Sequence, residues 1–332
     1  MAETSKIEWT DATWNPITGC TLVDDGCRNC YAAELAATRL KNHPSRKGLA
    51  TRNAAGVAKF TGEVRFNEQW LDQPLRWSTP RMVFVCAHGD LFHHGVPEDW
   101  IDRLFAVMAL CPHHTFQVLT KRPDRAREYI AEMADCPSEW RIKRLDYPTR
   151  LHRSWPLPNV WLGTSVSDQA SANARIPDLL GAPAAVRFIS AEPLLGPVRF
   201  NQIYREGISM TYVDNALTGF VSNGYGGTYR EKLDWIIVGG ESGRNARPMN
   251  PDWARAIRDQ CQEAGTAFFF KQWGEWVPDD TPEARDARIH LDVEWHGFDG
   301  ARGSWRVGKR KSGRTLDGLT WSQMPGHYEP QD

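Results

Sequence analysis

The chain has 332 residues, and its 40 lysines and arginines nearly balance its 41 acidic residues, leaving a net charge of −1. This balance does not by itself require a nucleic-acid or acidic-lipid partner, and the lack of a long apolar run argues against a membrane-spanning helix. We therefore expect a soluble, cytoplasmic protein without a signal peptide, long enough for one α/β barrel or two ordinary domains.

The first predicted element is a short strand that leads into a loop with three cysteines. Cys20, Cys27 and Cys30 lie close together in sequence, and Gly19 and Gly26 directly precede two of them. Glycines allow such a loop to turn tightly enough to bring three sulfurs together. Three thiolates on a four-iron cluster leave one iron open to bind a small molecule, whereas four make a closed electron carrier.

Other interpretations of the three cysteines remain open at this point. A structural zinc site needs a fourth ligand, which His43 or a more distant histidine could supply. A disulfide is disfavoured because the chain has seven cysteines, an odd number, and no predicted signal peptide. Three unrelated buried thiols fit poorly, because Asp24, Asp25 and their neighbours make the segment too polar for a core strand.

After the cysteine loop, short β-branched or aromatic runs recur and a helical pattern follows most of them. The predicted strands are 82–86, 115–119, 160–165, 186–190, 235–238 and 267–270. Helices are predicted over 98–110 and 252–264, and the second should hold Cys261 as an inert core residue. Repeated strand–helix units of this length are typical of a parallel sheet, and with the first strand they give about seven units.

Polar residues are concentrated where the predicted strands end. This set is Asp90, Lys121, Arg122, Ser165, Glu192, Glu241, Lys271 and Gln272. In a (β/α) barrel the carboxyl ends of the strands form the active-site face, so we expect one shared rim that also receives the cysteine loop. Each residue taken singly is also compatible with ordinary structural hydrogen bonding at a strand end.

These motifs resemble a known group of enzymes. Asn15-Pro-Ile-Thr-Gly-Cys20, followed by Cys27-Arg-Asn-Cys30-Tyr31, resembles the cluster loop of radical S-adenosylmethionine (SAM) enzymes, with spore photoproduct lyase as a distant relative. The whole chain resembles a phage-associated family with a three-cysteine motif. Supporting segments include Phe116–Pro123, Ser190–Gly196 and Val238–Gly243, and the resemblance runs from about residue 7 to 320.

The resemblance implies a full or partial (β/α) barrel and a radical mechanism. Cys20, Cys27 and Cys30 would hold a [4Fe–4S] cluster whose open iron chelates SAM. A reducing electron donor, such as flavodoxin or ferredoxin, would then allow a 5′-deoxyadenosyl radical to form and abstract hydrogen from a substrate. The cofactor carries the chemistry, and the barrel wall shields the radical.

The loop departs from the radical SAM pattern in two places. The cysteine spacing is six then two residues rather than three then two, and Asn29 replaces the aromatic residue that usually precedes the last cysteine. Tyr31 is the substitute expected to contact the adenine. A Gly-Gly-Glu motif that holds the SAM amino group normally follows the second strand. Here it ends at Glu241 after a much later strand, so Asp90 is the positional candidate instead.

The remaining site assignments rest on chemistry and position. Lys121, Arg122 or Lys271 is expected to pair with the SAM carboxylate or a substrate phosphate. Ser165 and Glu192 are expected to bind ribose hydroxyls, and Glu241 is retained as a candidate catalytic residue at the rim.

Cys86 ends the second predicted strand, and three roles are open to it. It is a candidate hydrogen donor to a product radical. It is also a candidate fourth cluster ligand, which would make the protein an electron carrier. The third role is that of an inert packed thiol.

The substrate class is suggested by two basic stretches, 39–52 and 302–314, the second with an interleaved tryptophan. Such stretches can neutralise phosphates and stack a base, although solvated surface charge also explains them. We expect DNA or a nucleotide as substrate. The alternatives are a small amino acid or peptide, and a non-catalytic nucleic-acid-binding protein that holds zinc or a cluster.

The predicted organisation has one barrel over residues 1–274. Residues 197–232 are glycine-rich and polar and are expected to form an insertion or lid within it. Residues 275–332 are expected to form an irregular C-terminal extension. The segment from about 135 to 158 is a long connection of unassigned role.

Overall fold

The structure is a computed structural model that describes residues 4–135, 155–206, 211–222, 226–290, 293–298 and 302–326. The chain is mixed α/β and divides into two compact units. One unit comprises Met1–Thr164 and Asp178–Arg187, and the other Ser165–Pro177 and Phe188–Asp332.

Seven strands form the main sheet, in the same order in which they occur along the chain. They are β1 (Ala12–Trp14), β2 (Met82–Val85), β3 (Thr115–Thr120), β4 (Val160–Ser165), β5 (Val186–Ala191), β6 (Trp235–Gly239) and β7 (Ala267–Gln272). The pairs β1–β2, β2–β3, β3–β4, β5–β6 and β6–β7 are parallel. The predicted strands and α/β class are confirmed. Since β1 and β7 are the two ends of the strand order, the sheet is compatible with a partial barrel.

Among the described residues, seven α-helices connect or flank these strands. They are α1 (Tyr31–Ala37), α2 (Glu98–Leu110), α3 (Pro123–Asp135), α4 (Gln169–Gly181), α5 (Pro251–Ala264), α6 (Pro282–His290) and α7 (Lys309–Ser312). Short 3-10 turns span Asp25–Cys27, Glu68–Trp70 and Gln73–Arg76. The α5 boundaries follow from its caps: the Asn250 side chain accepts from the Asp252 N–H, and Gly265 ends the helix at φ 67°.

The first unit is built around β1 to β4 and the apolar faces of α2 and α3. Trp14 and Phe116 are fully buried, with ring centroids 5.7 Å apart. Two small antiparallel pairs cover the region after β1: Ile17–Thr18 with Arg65–Phe66, and Ala50–Arg52 with Ala58–Phe60. Along the chain, the cysteine loop follows the strand Ile17–Thr18 and precedes the strand Ala50–Arg52.

The second unit contains β5 to β7 and two small sheets. The predicted insertion at 197–232 contains a four-stranded antiparallel sheet of Ile203–Glu206, Thr211–Asn215, Phe220–Ser222 and Gly227–Tyr229. Residues 275–332, expected to be irregular, contain instead α6, α7 and a sheet of Trp276–Pro278, Trp295–Gly297 and Gly303–Arg306. Three- and four-residue strands are too short to display a period-2 pattern, which explains why the sequence did not indicate this sheet.

Two further expectations concern the long connection and membrane-spanning helices. Most of the long connection predicted near 135–158 lies outside the described residues. Within the described ranges, no helix combines the length and the apolar character needed to cross a bilayer.

Candidate functional site

The cysteine loop begins where two backbone segments approach closely. Gly19 forms a parallel bridge with Gly89, and its N–H donates to the His88 carbonyl at 3.1 Å. Gly19 has φ +99°, and a Cβ built on it would lie 2.1 Å from the carbonyl oxygen of Glu63. Only glycine fits this position without a shift of the backbone. The loop is therefore fixed beside the residues that follow β2.

The three cysteines are all unpaired and partly exposed. Cys27 ends the 3-10 turn, and Cys30 is the N-cap residue of α1. Burial raises the pKa of the Cys20 thiol to about 12, and the charge of Asp90 adds to this effect. Burial also raises the pKa of Cys30, while the N–H groups of Ala33 and Ala32 act in the opposite direction. Helix N-termini favour the thiolate form that binds metal.

Arg122 is the charged group in contact with the first of these thiols. It follows β3, its side chain is only 6% exposed, and its Nη1 lies 3.7 Å from Cys20 Sγ. Its Nη2 donates to Thr21 Oγ1 at 2.5 Å. A buried guanidinium in this position stabilises negative charge on the Cys20 sulfur.

Asp90 holds Arg122 in place and is itself fully engaged. Its Oδ2 accepts from Arg122 Nη1 at 2.8 Å and from the Lys121 N–H at 3.3 Å. Its Oδ1 accepts from Thr120 Oγ1 at 2.7 Å and the Phe92 N–H at 3.0 Å. Asp90 was the sequence candidate for the SAM amino group. In this structure, both of its oxygens serve to position Arg122 and the start of α3.

Lys121 and His93 fix the cysteine loop from two further directions. Lys121 Nζ lies 2.8 Å from Asp24 Oδ1 within the loop, and both side chains are largely buried. His93 Nε2 lies 3.1 Å from Thr21 Oγ1, and its Nδ1 accepts from the Gly95 N–H at 3.0 Å. The acceptor role of Nδ1 places the proton on Nε2. Each of these contacts ties a residue near a cysteine to the segment after β2 or β3.

Two further residues were candidates for the site: Tyr31 directly follows Cys30, and Cys86 directly follows β2. Tyr31 is 52% exposed, and its hydroxyl donates to the Ala87 carbonyl at 2.5 Å. Cys86 is 3% exposed at a positive φ of 55°. Burial raises the pKa of the Cys86 thiol to about 12, although the Ile17 N–H favours the thiolate. The charges of Asp90 and Arg46 also act on Cys86, and Asp90 is shared with Cys20.

Three thiols on one loop are the type of donor that iron–sulfur clusters use. Its thiols are free, partly exposed and carried by one loop with a buried cation at Cys20. Within the described ranges no three His, Cys, Asp or Glu side chains converge as ligands of one metal ion. A cubane cluster binds each thiolate to a different iron, so it requires sulfurs spread around the cluster rather than around one ion. Cys20, Cys27 and Cys30 are the residues that would hold such a cluster.

In the second unit, the structure brings Glu192 and Lys271 together. Lys271 Nζ lies 2.9 and 2.8 Å from the two Glu192 carboxylate oxygens. Gln272 Nε2 also donates to Glu192 Oε1 at 3.0 Å and to Ser242 Oγ at 3.2 Å. The segments after β5, β6 and β7 thus share one polar network.

Glu241 and Ser165 have separate surroundings within the second unit. Glu241 accepts from Arg247 Nε at 2.9 Å, Nη2 at 2.6 Å and the backbone N–H at 2.8 Å. This bidentate pair closes the loop after β6. Ser165 is buried at the end of β4, and its carbonyl accepts from Arg175 at 2.7 Å.

The structure also shows contacts and burial that the sequence did not predict. Arg122 was one of several cations expected to pair with an anion, and its contact with Cys20 was not foreseen. Arg46 was included in a basic stretch interpreted as a solvated or nucleic-acid-binding surface, yet it is 5% exposed. In the C-terminal basic stretch, Arg302 and Arg306 pair with Asp252 and Glu294, whereas 309–311 are exposed.

The fold and the site together define a mixed α/β protein with a parallel sheet and a loop of three free thiols beside a buried Arg–Asp pair. Residues 4–325 match a family described as "Protein of unknown function (DUF5131)", and the chain belongs to this family. No curated protein and no solved structure matches the chain.

Proposed function

We propose that this protein is a radical SAM enzyme that holds a [4Fe–4S] cluster on Cys20, Cys27 and Cys30. The observation that carries the proposal is the set of three unpaired thiols on one loop after β1, with the buried Arg122 guanidinium 3.7 Å from Cys20 Sγ. Three protein ligands leave one iron open. With SAM bound there, the cluster would supply a 5′-deoxyadenosyl radical after one-electron reduction by a flavodoxin- or ferredoxin-like donor.

The protein's own residues then have distinct tasks. Arg122 stabilises negative charge at Cys20, and Asp90 positions Arg122. Lys121 holds the loop through Asp24. Tyr31, adjacent to Cys30 and half exposed, offers an aromatic face to the adenosyl group.

The proposed substrate is a nucleic acid or a nucleotide. Support comes from the exposed Lys309, Arg310 and Lys311, whose cationic side chains suit phosphate contacts. A small amino acid or peptide substrate would not need these groups. Binding that weakens steeply with salt would favour the nucleic-acid substrate, because phosphate contacts release counterions.

The test is anaerobic purification of the full chain, followed by iron and sulfide analysis and electron paramagnetic resonance with and without SAM. We expect about four irons and four sulfides per chain and a reduced-cluster signal that SAM perturbs. Single Cys→Ala changes at Cys20, Cys27 and Cys30 should each abolish the signal. Cys261→Ala is the matched control, because Cys261 is fully buried in α5.

Two outcomes would overturn the proposal. Zinc without iron, even after reconstitution with iron and sulfide, would assign the loop to a structural metal site and favour a non-catalytic nucleic-acid-binding protein. A cluster whose resonance signal does not change when SAM is added, and which is absent from the Cys86→Ala protein, would identify an electron carrier with four cysteine ligands.

A further inference from the structure

A second polar cluster in the first unit is not used by the proposed function, and it begins with a buried arginine. Arg46 is 5% exposed, and its guanidinium lies over the Trp70 ring, 5.4 Å from the centroid. Its Nη1 donates to Ser45 Oγ, whereas its Nε is buried and has no hydrogen-bond partner among the described residues. No carboxylate in the described ranges lies within ion-pair distance of Arg46. A buried cation of this kind is costly unless an anion compensates it.

His88 supplies a second buried nitrogen. Its Nδ1 is buried and also has no hydrogen-bond partner in the described part of the chain. The ring is partly exposed and meets the edge of Tyr31, with centroids 6.1 Å apart. Burial, followed by the charges of Arg46 and Arg39, lowers the pKa of His88 to about 4. The imidazole can donate a hydrogen bond from Nδ1 in the corresponding tautomer.

Backbone contacts fasten the segments that carry these two groups to the same short stretch of chain, and the charge of Arg46 acts on the His88 ring. The Thr18 hydroxyl donates to the Ser45 carbonyl at 2.7 Å, and the N–H of the next residue, Gly19, donates to the His88 carbonyl at 3.1 Å. The His88 N–H in turn donates to Asn15 Oδ1 at 3.0 Å. The turn that carries Arg46 and the segment that carries His88 are thus fastened to consecutive residues just before Cys20.

We propose that Arg46 and His88 form a binding site for a phosphate group. The guanidinium carries an unused N–H in a buried environment, and the imidazole carries a second donor. This donor set suits a phosphate group, which deepens the proposed function by assigning the phosphate of its nucleotide substrate. That assignment rests on the proposed function, whereas binding of the phosphate group alone does not.

The first test measures inorganic phosphate binding to the full chain by calorimetry and thermal unfolding, at constant ionic strength against chloride. We expect phosphate to bind and to raise the unfolding midpoint of the wild-type protein. Arg46→Met should weaken phosphate binding at least about tenfold, which corresponds to the loss of one charge-assisted contact. Arg76→Met is the matched control, because Arg76 is an exposed arginine paired with Asp72. A wild-type protein that does not respond to phosphate, or equal responses of the two variants, would refute the site.

Stability measurements separate a binding role from a structural one. Because Arg46 is buried without a carboxylate partner, Arg46→Met should not lower the unfolding midpoint in chloride. Arg46→Lys keeps the charge but loses the planar fork, and it should bind phosphate more weakly than the wild type while remaining folded. If both variants unfold at markedly lower temperature and the wild-type protein gains nothing from phosphate, Arg46 is a structural residue.

A last comparison distinguishes a nucleotide phosphate from the SAM carboxylate as the anion. Arg46→Met should weaken binding of a deoxynucleoside monophosphate at least about tenfold and leave SAM binding unchanged. The opposite result would assign the site to SAM and reject the phosphate proposal. Repeating the phosphate titration with Cys20→Ala protein tests the phosphate site independently of the proposed cluster. Phosphate binding should persist in that variant, and it should also persist if the wild-type loop proves to hold no cluster.

Discussion

Arg122 Nη1 lies 3.7 Å from Cys20 Sγ and 2.8 Å from Asp90 Oδ2, so one buried nitrogen links the cysteine loop to the residues after β2. The Arg122–Asp90 pair has side chains 6% exposed on both partners. Buried pairs of this kind seldom add net stability over apolar residues, but removing one partner leaves an uncompensated charge. The pair therefore serves better to place a cation at the Cys20 sulfur than to stabilise the fold.

Changing Arg122 should alter the redox properties of a bound cluster. A cation beside a cluster thiolate favours the reduced, more negative state, so Arg122→Met should lower the midpoint potential by on the order of 60 mV, the equivalent of one charged hydrogen bond. Arg122→Lys should recover part of this shift. The measurement is a potentiometric titration followed by electron paramagnetic resonance. Equal potentials in all three proteins would show that the contact does not tune the cluster.

The same substitution should destabilise the protein through Asp90. Arg122→Met leaves a buried carboxylate without its cation and should cost about 3–5 kcal/mol in the free energy of unfolding. The double variant Arg122→Met/Asp90→Asn should recover much of this loss, because the stranded charge is removed. Urea unfolding of the wild type, both single variants and the double variant provides the thermodynamic cycle. Strictly additive effects would show that the two side chains do not interact.

Gly19 and Gly48 provide a matched pair for testing the close backbone approach at the cysteine loop. Both have positive φ, +99° and +83°, but a Cβ on Gly48 meets nothing within 4 Å, whereas one on Gly19 would lie 2.1 Å from Glu63 O. Gly48→Ala should cost only the left-handed penalty of about 1–2 kcal/mol. Gly19→Ala should cost more and reduce iron incorporation, because the loop must move. Similar unfolding free energies and iron contents for both variants would argue against this placement of the loop.

The sequence predicted the main sheet well because each of its strands carries a run of β-branched or aromatic residues. It also placed Asp90, Lys121 and the cysteines at the same edge of the sheet, and the structure brings these residues together. It did not predict their pairing, because the partners Asp24 and Thr21 lie about 100 positions from Lys121 and Arg122. Arg46 was misjudged for a related reason. Its burial depends on a turn that packs Arg46 against Trp70. Because Trp70 is distant in sequence, the composition around Arg46 does not predict this contact.

The pH dependence of stability should report on His93. Burial, followed by the charge of Arg122, lowers the pKa of His93 from 6.5 to about 4. Between these values the unfolded chain binds a proton that the folded chain does not, so the free energy of unfolding should fall as the pH drops from 6.5 towards 4. The contribution is fully present above pH 6.5. In urea unfolding between about pH 7.5 and about pH 4.5, the free energy of unfolding should depend less steeply on pH for His93→Asn than for the wild type. Identical slopes would show that His93 titrates normally in the folded protein.

Glu192 and Lys271 should be energetically coupled in the second unit. Lys271 approaches both carboxylate oxygens of Glu192, at 2.9 and 2.8 Å, and the two side chains are 13% and 19% exposed. Lys271→Met leaves the carboxylate with Gln272 as a remaining donor, so the coupling measured in a cycle with Glu192→Gln should be about 1–3 kcal/mol, below that of a fully buried pair. Neither variant removes a ligand of the proposed cluster, so neither should change the iron content set by the cysteine loop. Loss of iron in Lys271→Met would assign Lys271 a part in assembling the metal site.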